Sequence, residues 1–515
     1  MILACDIGST HTKVALLRNP KEETETETKG TKTNKQERRI PENNVIYISY
    51  RKYLPLEQQD GETLRALLSE IGQVLEQKAK GRTIEAWSFS GHGPSLIAID
   101  RNGRAISGNR NPIHRTAPEI DRFRCGSSFY LPLARALWAG LDEEQRKSVA
   151  SILPPSNYVS FLLTGRTVIP IPEHYEKFYW HSPNKDGHHR VHSPKTQDYH
   201  EMDSQFLHLL PELAPFCDTV GEIQAGALSD FGLPPASQGT PVFCPGVDFF
   251  VGEAGLSYCA STLLRNRTGT SEGFNLLLPE YTPEVMQSKL KQMTFPPGYF
   301  LNYHVISKGA LLSYVREGSG ELFGKLFGLW QSHRPRHPHP AEAPDISNTL
   351  YCASLERTQK NIMLQDILLN ASPAELKRAN QFAHTFASGS RPCSEFLQIL
   401  ERELHRSSFE QLGLYTLQLL VRYFIMHCET IYSLHRKFTG SIMEHEKETL
   451  LSGSQAYYPG WLAWKARHSG IAIHVPSICD AEFIGAAAIC FHKLGYFPSI
   501  KLASKHLLRI SQVYA

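Results

Sequence analysis

Long apolar runs are missing from this chain: no stretch approaches the roughly 18 consecutive apolar residues that a membrane-spanning helix requires. A bilayer is not expected as a partner. Charge of one sign is equally scarce. The 515 residues carry 54 Lys and Arg against 51 Asp and Glu, a formal net charge of +3. That excess is too small for a large nucleic-acid footprint. The start lacks a basic segment ahead of an apolar stretch, and Asp6 interrupts the first apolar run, so a secretory leader is not expected. Paired cysteine motifs are lacking too. The 10 cysteines are scattered between Cys5 and Cys490 without CxxC spacing. Most sit in apolar surroundings, as reduced core thiols do, and a reducing cytoplasm is the simplest setting.

What remains suits a soluble globular chain, with 41% hydrophobic and 20% charged residues. A single core seldom grows beyond about 250–300 residues, so two domains are expected. A glycine-hydroxyl turn recurs once in each half, which suggests similar α/β domains over 1–255 and 256–515. Residues 2–8 read as a buried strand ending in a glycine turn, with a second strand at Lys13–Leu17 completing a hairpin. Leu64, Leu67, Leu68, Ile71, Val74 and Leu75 follow helical spacing. Ile84–Phe89 alternates as a strand does, and Leu96–Ile99 reads as another, followed by a turn at Asp100–Gly103. Residues 130–163 have a mostly helical pattern. VFCPGVD (242–248) reads as a strand before a small-residue helix, and a strand pair surrounds Gly269. Residues 409–435 predict a long buried helix, LLSGSQA (450–456) a strand and turn, and Asp480–Phe491 a helix whose Gly485 and alanines permit close backbone approach. Strands alternating with helices in both halves point to α/β. The polar stretches 21–39, 181–200 and 331–346 lack the apolar residues to pack and are expected to be exposed and mobile.

Three pieces carry candidate chemistry. In DIGSTHTK (6–13), Gly8 lets a backbone turn sharply towards phosphate oxygens. Ser9, Thr10 and Thr12 offer hydroxyls there, and Lys13 a cation. Asp6 at the strand end is of the ligand class that hydrated Mg²⁺ prefers. The plainer alternative is an ordinary hairpin turn. Asp248, after Gly246 at a strand end, could take a proton from an alcohol within about 2.6–3.2 Å. Such a carboxylate suffices, because phosphoryl transfer depends chiefly on positioning and charge stabilisation. Asp248 could equally be the N-cap of the following helix, and the two roles are compatible. Gly269-Thr270-Ser271 offers a second phosphate turn or simply a hairpin turn. Gly453, Ser454 and Gln455 offer a nucleotide contact or a helix cap. The histidines at 188, 189 and 192, and at 333, 337 and 339, have no cysteine or carboxylate at ligand spacing and read as solvated loops rather than zinc sites.

Together these motifs resemble the FGGY carbohydrate kinases, particularly xylulokinase-like members, over nearly the whole chain. DIGSTHTKVALL is similar to the family's first phosphate motif and TGTSEG to its second. FSGHGPSLIAID (89–100) is similar to the strand-loop-strand that meets the sugar, and LPPSNYVSFLLTGR (153–166) to an LTG segment. YCASLERT (351–358) is similar to a loop of the family. LLSGSQAYYPGWLAWKA with CDAEFIGAAAI is similar to its adenosine motif and the helix after it. The chain departs from the family where His92-Gly93-Pro94 replaces Gln-Met-His, where Ile113-His114-Arg115 replaces Trp-Asn-Asp, and where Phe249 and Phe250 follow Asp248.

The resemblance implies two actin-like (ribonuclease H-like) domains around a central nucleotide cleft. It implies ATP and Mg²⁺ as cofactors and a ketose or polyol as substrate. Asp248 would be the general base. Gly8, Ser9, Thr10, Thr12, Lys13, Gly269, Thr270, Ser271, Gly453, Ser454 and Gln455 would bind ATP, and Asp6 the metal. His92, His114 and Arg115 would join Asp248 at the sugar. The activity expected is that of an ATP-dependent carbohydrate kinase, a phosphotransferase with an alcohol acceptor. No nucleic-acid or membrane partner is expected, and a homodimer is compatible with the reading. Two rivals stand beside it: a non-catalytic sugar- or nucleotide-binding protein on the same fold, and an actin-like ATPase.

Overall fold

A computed structural model describes residues 1–8, 11–18, 45–52, 60–79, 81–106, 130–172, 179–180, 197–257, 263–268, 272–278, 291–295, 298–304, 371–387, 409–440, 442–443 and 445–515. Stretches 21–39, 181–196, 331–346 and 351–358 lie outside them, with all six loop histidines named above. So do Ser9, Thr10, His114, Arg115 and the turn Gly269-Thr270-Ser271. The described chain divides into two compact units. One takes Met1–Tyr258, Thr294–Pro297 and Ala481–Leu507; the other takes Cys259–Met293, Gly298–Asp480 and Leu508–Ala515.

The first unit contains strands β1 (Ile2–Ile7), β2 (His11–Leu17), β3 (Val45–Lys52), β4 (Ala86–Gly91), β5 (Ile97–Ile99), β6 (Ser151–Leu153), β7 (Val168–Ile171), β8 (Glu212–Pro215), β9 (Thr219–Glu222) and β10 (Pro241–Val247). Six form its main sheet, in the order β3-β2-β1-β4-β10-β9. β1 runs antiparallel to β2 and parallel to β4, and β4 runs parallel to β10. Every residue of β1 and β4 is buried, as expected of central strands covered on both faces. One covering element is the helix Gly61–Lys78, started by Asp60, whose side chain accepts from Thr63 N at 2.9 Å. Of the predicted stripe, Leu64, Leu67, Leu68, Ile71 and Leu75 are buried and Val74 is half-buried.

The helical stretch predicted over 130–163 is broken into helices Tyr130–Ala139, Glu143–Ser148 and Pro155–Thr164, with β6 between the last two. A capping box between Asp142 and Gln145 starts the second helix. Pro155 then starts the third, where its missing N–H costs nothing. Residues 197–200, part of the polar stretch read as a loop, open a helix, Gln197–Phe206. Its Asp203 holds Arg135 of helix Tyr130–Ala139 in a bidentate pair, Nε–Oδ1 2.8 Å and Nη2–Oδ2 2.7 Å.

The second sheet contains β11 (Leu264–Thr268), β12 (Glu272–Leu278), β13 (Lys291–Phe295), β14 (Gly298–His304), β15 (Glu448–Gly453), β16 (Ala472–Pro476) and β17 (Ile510–Tyr514). Their order is β13-β14-β12-β11-β15-β16-β17. Within it, β14-β12-β11 are antiparallel neighbours and β11-β15-β16 parallel ones. The same pattern, three antiparallel strands and then two parallel crossovers, makes β3-β2-β1-β4-β10 in the first unit. The helix predicted over 409–435 is observed as Phe409–Thr439.

The helix Ala481–Lys493 follows β16 of the second sheet in sequence but packs in the first unit, on β1, β4 and the helix Asp248–Gly255. Its small residues are the reason. A Cβ added at Gly485 would lie 1.7 Å from Val251 O, so the two helices touch backbone to backbone.

Candidate active site

The strand register of the first unit assembles a charged group from residues distant in sequence. Asp6 on β1 stands opposite Lys13 on β2 and beside Ser90 on β4. Ser90 Oγ donates to Asp6 Oδ1 at 2.8 Å, and Lys13 Nζ lies 3.2 Å from Asp6 Oδ2. Lys13 also lies 3.9 Å from Glu482 Oε2 on the helix Ala481–Lys493. Asp6 is 2% exposed. Burial holds its carboxyl above the ordinary carboxylate value; the Lys13 ammonium works against this, and Glu482 adds to it. Thr12 is also buried, and its hydroxyl has no hydrogen-bond partner among the described residues.

The C-terminal ends of the three parallel strands carry the remaining candidates. Gly8 follows β1. His92 follows β4, and its N–H donates to Ile7 O at 2.9 Å. The His92 ring is buried, with Nδ1 2.7 Å from Ser95 Oγ. Asp248 follows β10 as the first residue of the helix Asp248–Gly255. It is therefore not the N-cap, a position that Val247 holds without a side-chain bond. Asp248 Oδ1 instead accepts from Phe249 N at 2.6 Å, and the residue is half-buried. A carboxylate in the first turn also faces the positive end of the helix dipole.

Sequence reasoning missed Ser90, Glu482 and a tyrosine pair. The Tyr130 and Tyr179 rings stack at 4.2 Å with an interplanar angle of 6°. The Tyr130 hydroxyl lies against Gly93, 2.4 Å from where a Cβ there would be. Strand register could have pointed to Ser90, since Ser88 and Ser90 are the only hydroxyls in AWSFSG. Nothing local marks the others.

In the second unit, β11 and β15 are adjacent and parallel, so the turns after Thr268 and Gly453 leave the same edge of the sheet. Gly453 has φ +89°, and a Cβ there would lie 1.9 Å from Thr268 O; only glycine fits. Gln455 N donates to Thr268 Oγ1 at 3.0 Å, and that hydroxyl donates to Ser452 O at 2.7 Å. Gly453 N donates to Cys479 O at 2.7 Å. Ser454–Tyr457 forms a 3₁₀ turn before the helix Pro459–Ser469, and the Tyr457 hydroxyl bonds Asp480. The Gln455 side-chain oxygen turns inward, accepting from Trp461 Nε1 at 2.9 Å and Lys465 Nζ at 3.0 Å.

Among the described residues no group of three or more His, Cys, Asp or Glu could hold a metal. Magnesium needs no such cage, since one carboxylate with waters and phosphate oxygens suffices. Asp6 fits as that carboxylate if the cation takes the place of Lys13 at Oδ2. Cys5, Cys217, Cys244, Cys428 and Cys490 are buried thiols outside any disulfide. No described helix is long and apolar enough to cross a membrane.

No family model matches the chain, and no curated protein matches it. Solved structures do. Xylulose kinase from Lactobacillus acidophilus, solved with a ligand, superposes with a TM-score of 0.59 at 12% identity, over 100% of this chain and 93% of that one. Gluconate kinase from the same organism has a TM-score of 0.59 at 11% identity, over 100% and 93%. Plasmodium falciparum glycerol kinase, solved with ADP, has a TM-score of 0.55 at 11% identity, again over 100% and 93%. The fold is thus the two-domain actin-like α/β fold of the carbohydrate kinases. The resemblance to FGGY kinases read from the motifs holds at the level of fold.

Proposed function

We propose that this protein is an ATP-dependent carbohydrate kinase that transfers the γ-phosphoryl group of ATP to a hydroxyl of a ketose or polyol. One observation carries the reading. Gly8, His92 and Asp248 follow the C-terminal ends of the parallel strands β1, β4 and β10, and the turn at Gly453 follows β15, which neighbours β11 in the second sheet as β4 neighbours β1 in the first. This is the edge where open α/β sheets bind ligands. The fold shared with xylulose, gluconate and glycerol kinases supports it.

In this reading, Gly8, Ser9, Thr10, Thr12 and Lys13 serve the phosphates in the first unit. Gly269, Thr270 and Ser271 serve them in the second, with Gly453, Ser454 and Gln455 forming the turn at the adenosine. Asp6 holds Mg²⁺, which when bound neutralises charge on the transferring phosphates. His92, His114 and Arg115 orient the sugar beside Asp248. Asp248 accepts the hydroxyl proton as the oxygen attacks phosphorus.

The Asp248→Asn variant tests this. The amide oxygen can still accept from Phe249 N, so the helix start is kept. Phosphorylation in a screen of ketoses and polyols, read as ADP release, should fall by about 10²–10⁴-fold, with ATP binding and melting temperature little changed. Full activity in the variant would remove Asp248 as the base. A wild type that binds ATP or a sugar and turns over none of them would favour the non-catalytic rival.

A further inference from the structure

Lys465 is 1% exposed, on the helix Pro459–Ser469. Burying an ammonium costs several kcal/mol unless hydrogen bonds and nearby charge density replace its water. Among the described residues, three elements of the second unit supply replacements. Nζ bonds Gln455 Oε1 at 3.0 Å in the turn after β15, and Asn266 Oδ1 at 3.4 Å on β11. It also lies 4.1 Å from the ring centroid of Phe424, on the helix Phe409–Thr439, a cation–π distance.

Asn266 lies two residues before Thr268, where β11 ends, and Gln455 lies two residues after Gly453, where β15 ends. Gln455 is held twice more, through Trp461 Nε1 and through its own N–H to Thr268 Oγ1. We propose that Lys465 is a positioning residue that clamps the turn after β15 to the end of β11, and so sets the spacing of the two nucleotide turns of this unit. The inference rests on the nucleotide reading above.

Stability alone does not explain a lysine at this position. An apolar side chain of the same length, with apolar partners at 455 and 266, would fill the space beside Phe424 and Trp461 without the desolvation penalty, and replacing a whole buried polar cluster in this way is often neutral or stabilising. What an apolar chain cannot do is bond two carboxamide oxygens on different strand ends at once. The clamp also orients Gln455, whose carbonyl oxygen is directed into the unit and away from a ligand-binding role. In this account Gln455 acts through the shape of the turn and through its backbone.

The test uses the full chain and two near-isosteric variants, Lys465→Met and Gln455→Met, with ADP and MgATP as titrants. Calorimetry should show about a tenfold or greater loss of ADP affinity in Lys465→Met, beyond any fall in melting temperature from the Gln455 and Asn266 oxygens it leaves without a donor. The two variants combined should lose little more than either alone, because both break one clamp. A purely structural lysine would lower the melting temperature and leave ADP affinity unchanged. ADP affinity within about twofold of wild type in both variants would overturn the role of Lys465 while leaving the kinase reading intact. A wild type that binds neither titrant would overturn both.

Discussion

Replacing Gly485 by alanine sets two opposed effects against each other. In a helix interior, alanine is favoured over glycine by about 0.8–1.0 kcal/mol. At Gly485, however, the new Cβ would lie 1.7 Å from Val251 O and 2.6 Å from Val251 C, where real contacts essentially never fall under 3.0 Å. The helices Asp248–Gly255 and Ala481–Lys493 must therefore separate by at least 1.3 Å at this point, the difference between 3.0 and 1.7 Å. The obstacle is backbone, which cannot rotate aside. Gly255 faces the same crossing, with Gly485 N 2.6 Å from its would-be Cβ. Overpacking of this kind typically costs about 1–3 kcal/mol or more, so it wins. Net of the helix-propensity gain, the upper part of that range leaves a loss of about 1–2 kcal/mol, so the melting temperature of Gly485→Ala should fall by roughly 2–8 °C at the 2–4 °C per kcal/mol of a domain this size. The displaced helix begins with Asp248, and a misplacement near 1 Å can cost about 10²-fold in rate. Gly226→Ala is the control: nothing lies within 4 Å of a Cβ there, so that variant should gain stability. A Gly485→Ala protein that melts at or above the wild-type temperature would refute the reasoning.

Two further outcomes follow from buried charge. Asp203→Ala leaves the fully buried Arg135 guanidinium without its bidentate partner, and should cost about 3–5 kcal/mol. The double variant Arg135→Met/Asp203→Leu should recover most of that loss in a denaturant titration. His427, stacked on Phe274, is held neutral by burial, its pKa lowered from 6.5 to about 3. The unfolded chain binds this proton from about pH 6.5 downwards and the folded chain only near pH 3, so folding stability falls across that window. His427→Phe should flatten the acid side of the stability curve measured between those limits.

The local pieces were legible because each is written in neighbouring residues. The buried run ILACDI, the leucine stripe of Gly61–Lys78 and the glycine at 453 state their own conformations. The order of the motifs pointed to the fold that the solved kinases share. Where sequence reading erred, a local signal had been outweighed. The apolar content of 130–163 hid the turn at 140–142 and Pro154-Pro155 that split it, and the polar character of 197–200 hid a helix fastened by Asp203.

Tertiary structure alone decided which distant residues meet. Asp6 and Ser90 are 84 positions apart and become neighbours through parallel pairing of β1 with β4. Gln455 and Thr268 meet 187 positions apart through pairing of β11 with β15. Glu482 reaches Lys13 because the helix Ala481–Lys493, late in the chain, lies on the first sheet rather than the second. Periodicity and turn chemistry act within a few residues, so they specify elements and their ends. Strand register and the close approach permitted by Gly255 and Gly485 exist only once the sheets have formed, and these determine which charges share a site.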